Sequence, residues 1–253
     1  MASSVCETID VVLKREEILR LICENQPDKR DLVDAVSESR PTIDRAIREL
    51  EDRELVRRTD GICKPTYTGK IAYELCRDFK SAFETLDETS TELSSLPLDA
   101  ELDKAIFQTG SVFHPPDYAP YGRIKPLHND LKSSAEVVAV TGILIPQITR
   151  ILRQGLEDSG DIELLISNEV FDVLLENQPE TILPHIESGD AVYKDAGVSR
   201  YSLLLIDDEI LYTVIYSQTN HLSAVVRNTN HQAVQWSKEH ISELKKEATL
   251  LTA

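Results

Sequence analysis

The sequence predicts an α+β winged helix at the N-terminus, a long connecting helix, and a C-terminal α/β domain with a mainly parallel sheet. Three observations carry this. Short amphipathic helical patterns followed by a hairpin signature fill the first 67 residues, and residues 68–97 hold no glycine except Gly69 and no proline before Pro97. Beyond Pro97, strand-like and helical patterns alternate. With 253 residues and 41% hydrophobic content, the chain is long enough to bury more than one core. The expected division is 1–67, 68–97 and 98–253.

The elements follow in order. Arg15 to Asn25 carries Ile18, Leu19, Leu21 and Ile22, the stripe of an amphipathic helix. Pro27-Asp28 ends it, and Asp28 is placed to cap a second short helix, Lys29 to Val36, that buries Leu32, Val33 and Val36. Ser37-Glu38-Ser39-Arg40 reads as a tight polar turn. Pro41 suits the first turn of a third helix, where its missing N–H costs nothing. That helix runs to about Asp52 with Ile43, Ala46, Ile47 and Leu50 inward. Leu55 to Thr59, the turn Asp60-Gly61, and Ile62 to Pro65 read as a β-hairpin. A tight helix pair followed by a third helix and a hairpin is the order of a winged helix-turn-helix.

That order assigns candidate residues for double-stranded DNA. Arg45 and Arg48 point away from the core of the third helix, suited to guanine O6 and N7 in the major groove. Ser39, Arg40 and Thr42 at its start, and Arg57, Arg58 and Lys64 on the hairpin, suit phosphate oxygens. Asp44, Glu49 and Asp52 on the same helix oppose the DNA backbone. A winged helix used only for protein contacts is the competing interpretation.

Within the long helix, Ala72, Cys76, Phe79, Phe83, Leu86, Ser90 and Leu93 are spaced 4-3-4-3-4-3. This is a heptad seam, expected to join two copies into a homodimer through residues 68–97. Packing of the same helix onto its own C-terminal domain is the alternative. Ser94-Ser95-Leu96-Pro97 marks the end of the helix.

In the C-terminal part, strands are expected at Glu136 to Thr141, Ile162 to Ile166, Tyr201 to Ile206, Ile210 to Tyr216 and Leu222 to Arg227. Helices are expected at Pro146 to Asp158, Glu169 to Asn177, Pro179 to Ser188 and His231 to Leu250. Asp207-Asp208-Glu209 should close an antiparallel hairpin. A small-molecule effector would sit beyond the carboxyl ends of the parallel strands, near Thr141, Gly142, Ser167 and Asn168. Arg200 would hold an anionic group there, or pair with a surface carboxylate. No enzyme, cofactor or metal site is expected. The sequence has no Gly-x-Ser-x-Gly elbow, no phosphate loop and no His-x-x-x-His. Cys6, Cys23, Cys63 and Cys76 form no CxxC pair and read as structural thiols.

Charge divides unevenly. Residues 1–80 hold 15 Lys+Arg and 17 Asp+Glu, a net of −2, and the rest hold 12 and 27, a net of −15. The acidity therefore belongs to the C-terminal part, as suits a halophile's cytoplasm or an acidic mesophilic protein. No run approaches a bilayer span and no export signal precedes Arg15, so a cytoplasmic protein is expected, with no membrane partner.

The run Arg40 to Asp52, with Leu55-Val56 and Tyr67-Thr68-Gly69-Lys70, resembles archaeal winged-helix regulators, the haloarchaeal ones especially. The C-terminal part resembles the sensor domain of the methanogenesis-regulator (FilR-type) group, relatives of the sugar-sensing TrmB regulators. The resemblance implies a DNA-binding transcription regulator whose sensor has a phospholipase D-like fold. That fold's catalysis needs His-x-Lys, and no histidine here is followed two places later by lysine. The implied sensor is inactive.

Overall fold

The computed structural model describes residues 2–98, 100–115, 124–144, 161–188, 190–194, 196–197 and 201–251. The chain forms two compact units, Met1–Ser81 and Ala82–Ala253.

The first unit is helical apart from one hairpin. It comprises α1 (Ala2–Lys14), α2 (Glu16–Asn25), α3 (Lys29–Ala35), α4 (Arg40–Asp52), β1 (Val56–Thr59), β2 (Ile62–Pro65) and most of α5 (Tyr67–Glu88). The core is made by Leu19, Ile22, Leu32, Ile43, Ile47, Leu50, Leu55 and Cys63, all at most 1% exposed. Local chemistry sets the boundaries. Gln26 takes a left-handed φ of 47° to close α2 before Pro27. Asp28 Oδ1 accepts from the Arg30 and Asp31 amides at 2.6 and 2.9 Å, and Asp31 returns a bond to the Asp28 amide, forming a capping box. After α4, the Leu55 amide reaches Leu50 O and the Glu54 amide reaches Glu51 O, with Glu54 at φ 57°. This is a Schellman closure whose apolar partners, Leu50 and Leu55, are both buried. Asp60 and Gly61, at φ 53° and 80°, make the two-residue turn that pairs Thr59 with Ile62.

The second unit is built on one sheet of eight strands. They are β3 (Ser111–Phe113), β4 (Glu136–Thr141), β5 (Asp161–Ile166), β6 (Ala191–Lys194), β7 (Tyr201–Ile206), β8 (Ile210–Tyr216), β9 (Leu222–Asn228) and β10 (Thr249–Leu251). Their order is β10-β6-β5-β4-β7-β8-β9-β3. On one face lie α8 (Lys125–Lys132), α9 (Asn168–Asn177) and α10 (Pro179–Ser188), over Leu164, Ile166, Tyr212 and Val214. On the other, α7 (Ala105–Gln108) and α11 (His231–Glu247) cover Val140, Leu203, Leu205 and Ile215. The end of α5 and α6 (Ser90–Leu93) add Leu86 and Leu93 to this second layer. Both faces of β7 are buried, which is why Leu203–Ile206 reads as an unbroken apolar run.

The expectation of a mainly parallel sheet is corrected: the sheet is mixed. Only β4–β5 and β5–β6 pair parallel; β4–β7, β7–β8, β8–β9, β3–β9 and β6–β10 are antiparallel. Connection length decides this. A parallel neighbour needs a crossover of a dozen or more residues, which the segments after β4 and β5 supply. The chain between Lys194 and Tyr201 is too short to return to the opposite end of the sheet. β7 therefore starts at the end where β6 finished and runs antiparallel beside β4. The turn at Asp207-Asp208 closes the expected hairpin with φ values of 49° and 60°.

Further differences are local. α1 precedes the first expected helix, and α7, α8, β3, β6 and β10 carry no strong sequence signal. The final helix stops at Glu247, and Thr249–Leu251 leaves it to pair with β6 instead. The connecting helix ends at Glu88 rather than near Leu96, broken at Thr89 before the single turn of α6. The helix expected over Pro146 to Asp158 lies outside the described residues.

Candidate nucleic-acid interface

The rotation of α4 sorts its residues. With Ile43, Ala46, Ile47 and Leu50 buried, Pro41, Arg45, Arg48 and Asp52 stand on the opposite, exposed face. Ser39 precedes the helix as its N-cap, its hydroxyl 2.9 Å from that of Thr42, and Pro41 sits in the first turn as its chemistry prefers. Arg40 is the first residue of α4 and exposed. On the hairpin, Arg57 and Arg58 are exposed and Lys64 half-buried; Arg57 pairs with Lys64 and Arg58 with Cys63 in the register.

Carboxylates from α4 engage part of this set. Glu49 accepts from Arg15 at 2.9 Å and from Arg45 at 2.9 Å. The Arg15 bond is the larger cause, with Arg45 second, of holding the Glu49 carboxyl below its ordinary range. Glu51 meets Arg58 with both oxygens, Oε1 to Nε at 2.9 Å and Oε2 to Nη2 at 2.5 Å, a two-point clamp from α4 to the hairpin. This bond holds the Arg58 guanidinium charged further above its usual range, and Asp44 adds to the effect. Arg40, Arg48, Arg57 and Lys64 make no ion pair among the described residues. The sequence reading took Glu49 only as a repelling carboxylate and missed Arg15 and Glu51 as partners. Arg45–Glu49 is an i, i+4 pair legible along α4, whereas the Arg15–Glu49 and Glu51–Arg58 pairs exist only once the helices and hairpin are docked.

The heptad seam divides. Cys76 is buried and Ala72 half-buried in the helical core, whereas Leu86 and Leu93 pack on the sheet of the second unit. Phe79 and Phe83 are 53% and 56% exposed. The exposed apolar stripe on α5 runs instead through Ile71, Leu75 and Phe79, and α1 exposes Val5, Ile9 and Leu13. In the first unit these helices form an apolar groove of about 310 Å³ lined by Ile9, Leu13, Leu75 and Phe79. The contribution of α1 has a sequence signal, the i, i+4, i+8 spacing of Val5, Ile9 and Leu13.

The expected effector residues gather at the carboxyl ends of β4 and β5, where the Ser167 amide bonds Thr141 O at 3.3 Å. Thr141 is buried and engaged. Its hydroxyl donates to Ile143 O at 2.8 Å and accepts from Ser202 at 2.7 Å, and Ser202 in turn meets the Tyr216 hydroxyl at 2.7 Å. Burial pushes Tyr216 up to about 12. Ser167 caps α9 through a bond from the Val170 amide, next to exposed Asn168 and the bend at Gly142. Arg200 lies outside the described residues. Cys63 and Cys76 are buried and their thiols pushed up by desolvation; Cys6 is exposed. Among the described residues no group of His, Cys, Asp and Glu is arranged to hold a metal, and no helix is long and apolar enough to cross a membrane.

A helical unit with an exposed arginine-bearing helix and hairpin, followed by a mixed α/β unit, is the class of architecture. Residues 7–88 match the family described as HVO_A0261 N-terminal domain. Residues 120–247, just over half of the chain, match the family described as methanogenesis regulatory protein FilR1, middle domain. The chain belongs to this FilR1 family. No curated protein matches the sequence. Solved structures give distant likenesses. The archaeal chromatin protein TrmBL2, described with a novel mode of DNA binding, is 13% identical over 88% of this chain and 87% of its own, at a TM-score of 0.42. The phospholipase D family member Nuc from Salmonella typhimurium is 14% identical over 57% of this chain and 98% of its own, at 0.42. Phosphatidylserine synthase from Haemophilus influenzae is 13% identical over 84% and 54%, at 0.40.

Proposed function

We propose that this chain is a cytoplasmic, sequence-specific DNA-binding transcription regulator that acts as a homodimer under the control of a small-molecule effector. Membership in a family described by a regulatory protein supports the class. The observation that carries the DNA-binding reading is the α4 face, where Arg45 and Arg48 project opposite a fully buried stripe, next to a hairpin bearing Arg57, Arg58 and Lys64. In a winged helix-turn-helix this face enters the major groove and the hairpin, as the wing, meets phosphates.

Dimerisation is supported by the α1–α5 groove. Val5, Ile9, Leu13, Ile71, Leu75 and Phe79 expose on the order of 600 Å² per copy, so two copies bury roughly 1,200 Å², the lower bound for a specific interface. The same patch on each copy makes a two-fold contact, and two α4 helices held at fixed separation would read paired half-sites. The effector is expected at the carboxyl ends of β4 and β5, beside Gly142, Asn168 and Ser167. Thr141 would shape that site from beneath, since its own donor and acceptor are taken. The strongly acidic remainder of the chain fits a high-salt cytoplasm.

Genome-wide occupancy of a tagged copy in its native host, compared with an Arg45→Ala/Arg48→Ala version, tests the reading. Sharp promoter peaks that vanish in the variant are expected. Peaks that survive unchanged, or no peaks across growth conditions, would replace it with a protein-contact role for the winged helix.

A further inference from the structure

The clamp between Glu51 and Arg58 joins the helix expected in the major groove to the hairpin expected on the backbone. A guanidinium held by two carboxylate oxygens has its planar fork occupied, and a phosphate would use that same fork. The pair is solvent-accessible, with side-chain exposures of 45% for Arg58 and 25% for Glu51, so exchange needs no unfolding. Arg45 is held by Glu49 through a single bond, and Glu49 is also anchored by Arg15 through its other oxygen and stays neutralised when Arg45 leaves. Glu51 has no second cation among the described residues, and Asp44 lies near enough to act on Arg58.

We propose that Glu51 is an intramolecular competitor for the DNA phosphate, so that the Arg58 contact with DNA is an ion-pair exchange that adds little to the salt dependence of binding. This rests on the DNA-binding reading above. When Arg58 turns to a phosphate, the DNA releases a condensed cation, while the freed Glu51 carboxylate, now beside the phosphates, gathers counterions from solution. The two flows oppose each other. Each phosphate neutralised by a free cationic side chain adds about 0.9 to the slope of log K against log salt, whereas the Arg58 contact adds close to nothing. Affinity at moderate salt is lower for it, and less of that affinity is lost as salt rises.

The test is fluorescence anisotropy of the full chain on a short labelled duplex of arbitrary sequence, across a salt series, for wild type, Glu51→Gln and Glu51→Gln/Arg58→Ala. Glu51→Gln keeps the size and polarity of the side chain and removes its charge. The proposal expects Glu51→Gln to steepen the slope by about 0.9 and to bind roughly eightfold tighter at 0.1 M salt, with the curves converging near 1 M. The double variant should lose the added steepness. Equal or weaker binding by Glu51→Gln, with wild type binding normally, overturns the competitor role and makes Glu51 a brace that orients Arg58. Failure of the wild type itself to bind duplex under any salt removes the DNA-binding reading and the exchange with it. Thermal unfolding of each variant controls for folding, and Arg58→Lys, which keeps the charge without the fork, should bind more tightly than Arg58→Ala.

Discussion

At the residue scale, several side chains carry constraints that a single substitution exposes. Glu54 sits at φ 57° in the closure of α4, a conformation that costs an L-residue about 1–2 kcal/mol and a glycine almost none. Glu54→Gly should therefore stabilise the helical unit by about 0.5–1 kcal/mol after the unfolded-state entropy of glycine is subtracted, read by urea denaturation. Gly69 is the opposite case. A Cβ there would lie 1.9 Å from the Leu55 carbonyl oxygen, so Gly69→Ala must push α5 off the α4–β1 junction, at a cost of about 2 kcal/mol or more. His240 is buried, stacked on Trp236 at 5.1 Å between centroids, with its Nε2 3.0 Å from the Tyr201 hydroxyl. Desolvation lowers its pKa, only partly opposed by Glu101 and Glu243. A histidine whose folded pKa lies below its unfolded value binds fewer protons when native, so stability falls as pH drops through about 6.5 and levels off below the folded pKa. Trp236 emission should report a lower midpoint at pH 5.5 than at 7.5 (about one pH unit either side of the free imidazole), and His240→Gln should flatten that dependence. Equal slopes in both proteins would assign the effect to other groups.

At the element scale, α5 shows how one helix serves two cores. Its 4-3 apolar spacing is real, but Cys76 faces the helical core, Leu86 faces the sheet, and the exposed stripe is rotated to Ile71, Leu75 and Phe79. With the apolar face of α1 alongside, that stripe is the surface on which the proposed homodimer depends. Leu75→Glu/Phe79→Glu places two charges in the groove without replacing a buried residue. Sedimentation of this variant should show monomer at micromolar concentration where the wild type is dimeric, with helical content retained. A dimer that survives the double substitution would move the interface elsewhere. Asp28 tests a different element. It caps α3 through backbone amides that hold its carboxyl below the usual range, so the cap is present above the ordinary Asp pKa and lost as pH falls through the depressed one. Asp28→Ala should lower the midpoint of the helical unit at neutral pH and make no difference in strong acid.

At the scale of the whole molecule, two units with separate cores share one chain. Trp236, the single tryptophan, belongs to the sheet-containing unit, so its emission is blind to the helical one. Gly69→Ala should lower the helical unit's transition in the far-ultraviolet circular dichroism melt while leaving the Trp236 midpoint in place. A common shift would mean that α5 joins both cores into one cooperative block. Charge divides along the same line, near neutral in residues 1–80 and −15 beyond. In the proposed regulator the acidic part would repel DNA at long range, confining contact to the helical unit and lowering non-specific binding.

The sequence by itself determined the elements whose signals are local. Ile43, Ala46, Ile47 and Leu50 fixed the inward face of α4, Asp28 the start of α3, and Asp60-Gly61 the hairpin. The largely apolar runs within 136–141, 201–206 and 210–216 fixed β4, β7 and β8, because strands buried on both faces read as near-continuous apolar runs. The candidate DNA residues were legible for the same reason, since helical periodicity puts Arg45 and Arg48 opposite the buried stripe. Tertiary structure alone decided strand direction, which depends on whether six residues or twenty separate two strands. It alone decided the fate of Thr249–Leu251, where an open edge at β6 outweighed helix continuation, and the rotation of α5, whose seam answers to two different cores. It also decided which arginines are already held. Glu51 reaches Arg58 only because the hairpin folds back onto α4, and no spacing along the chain encodes that contact.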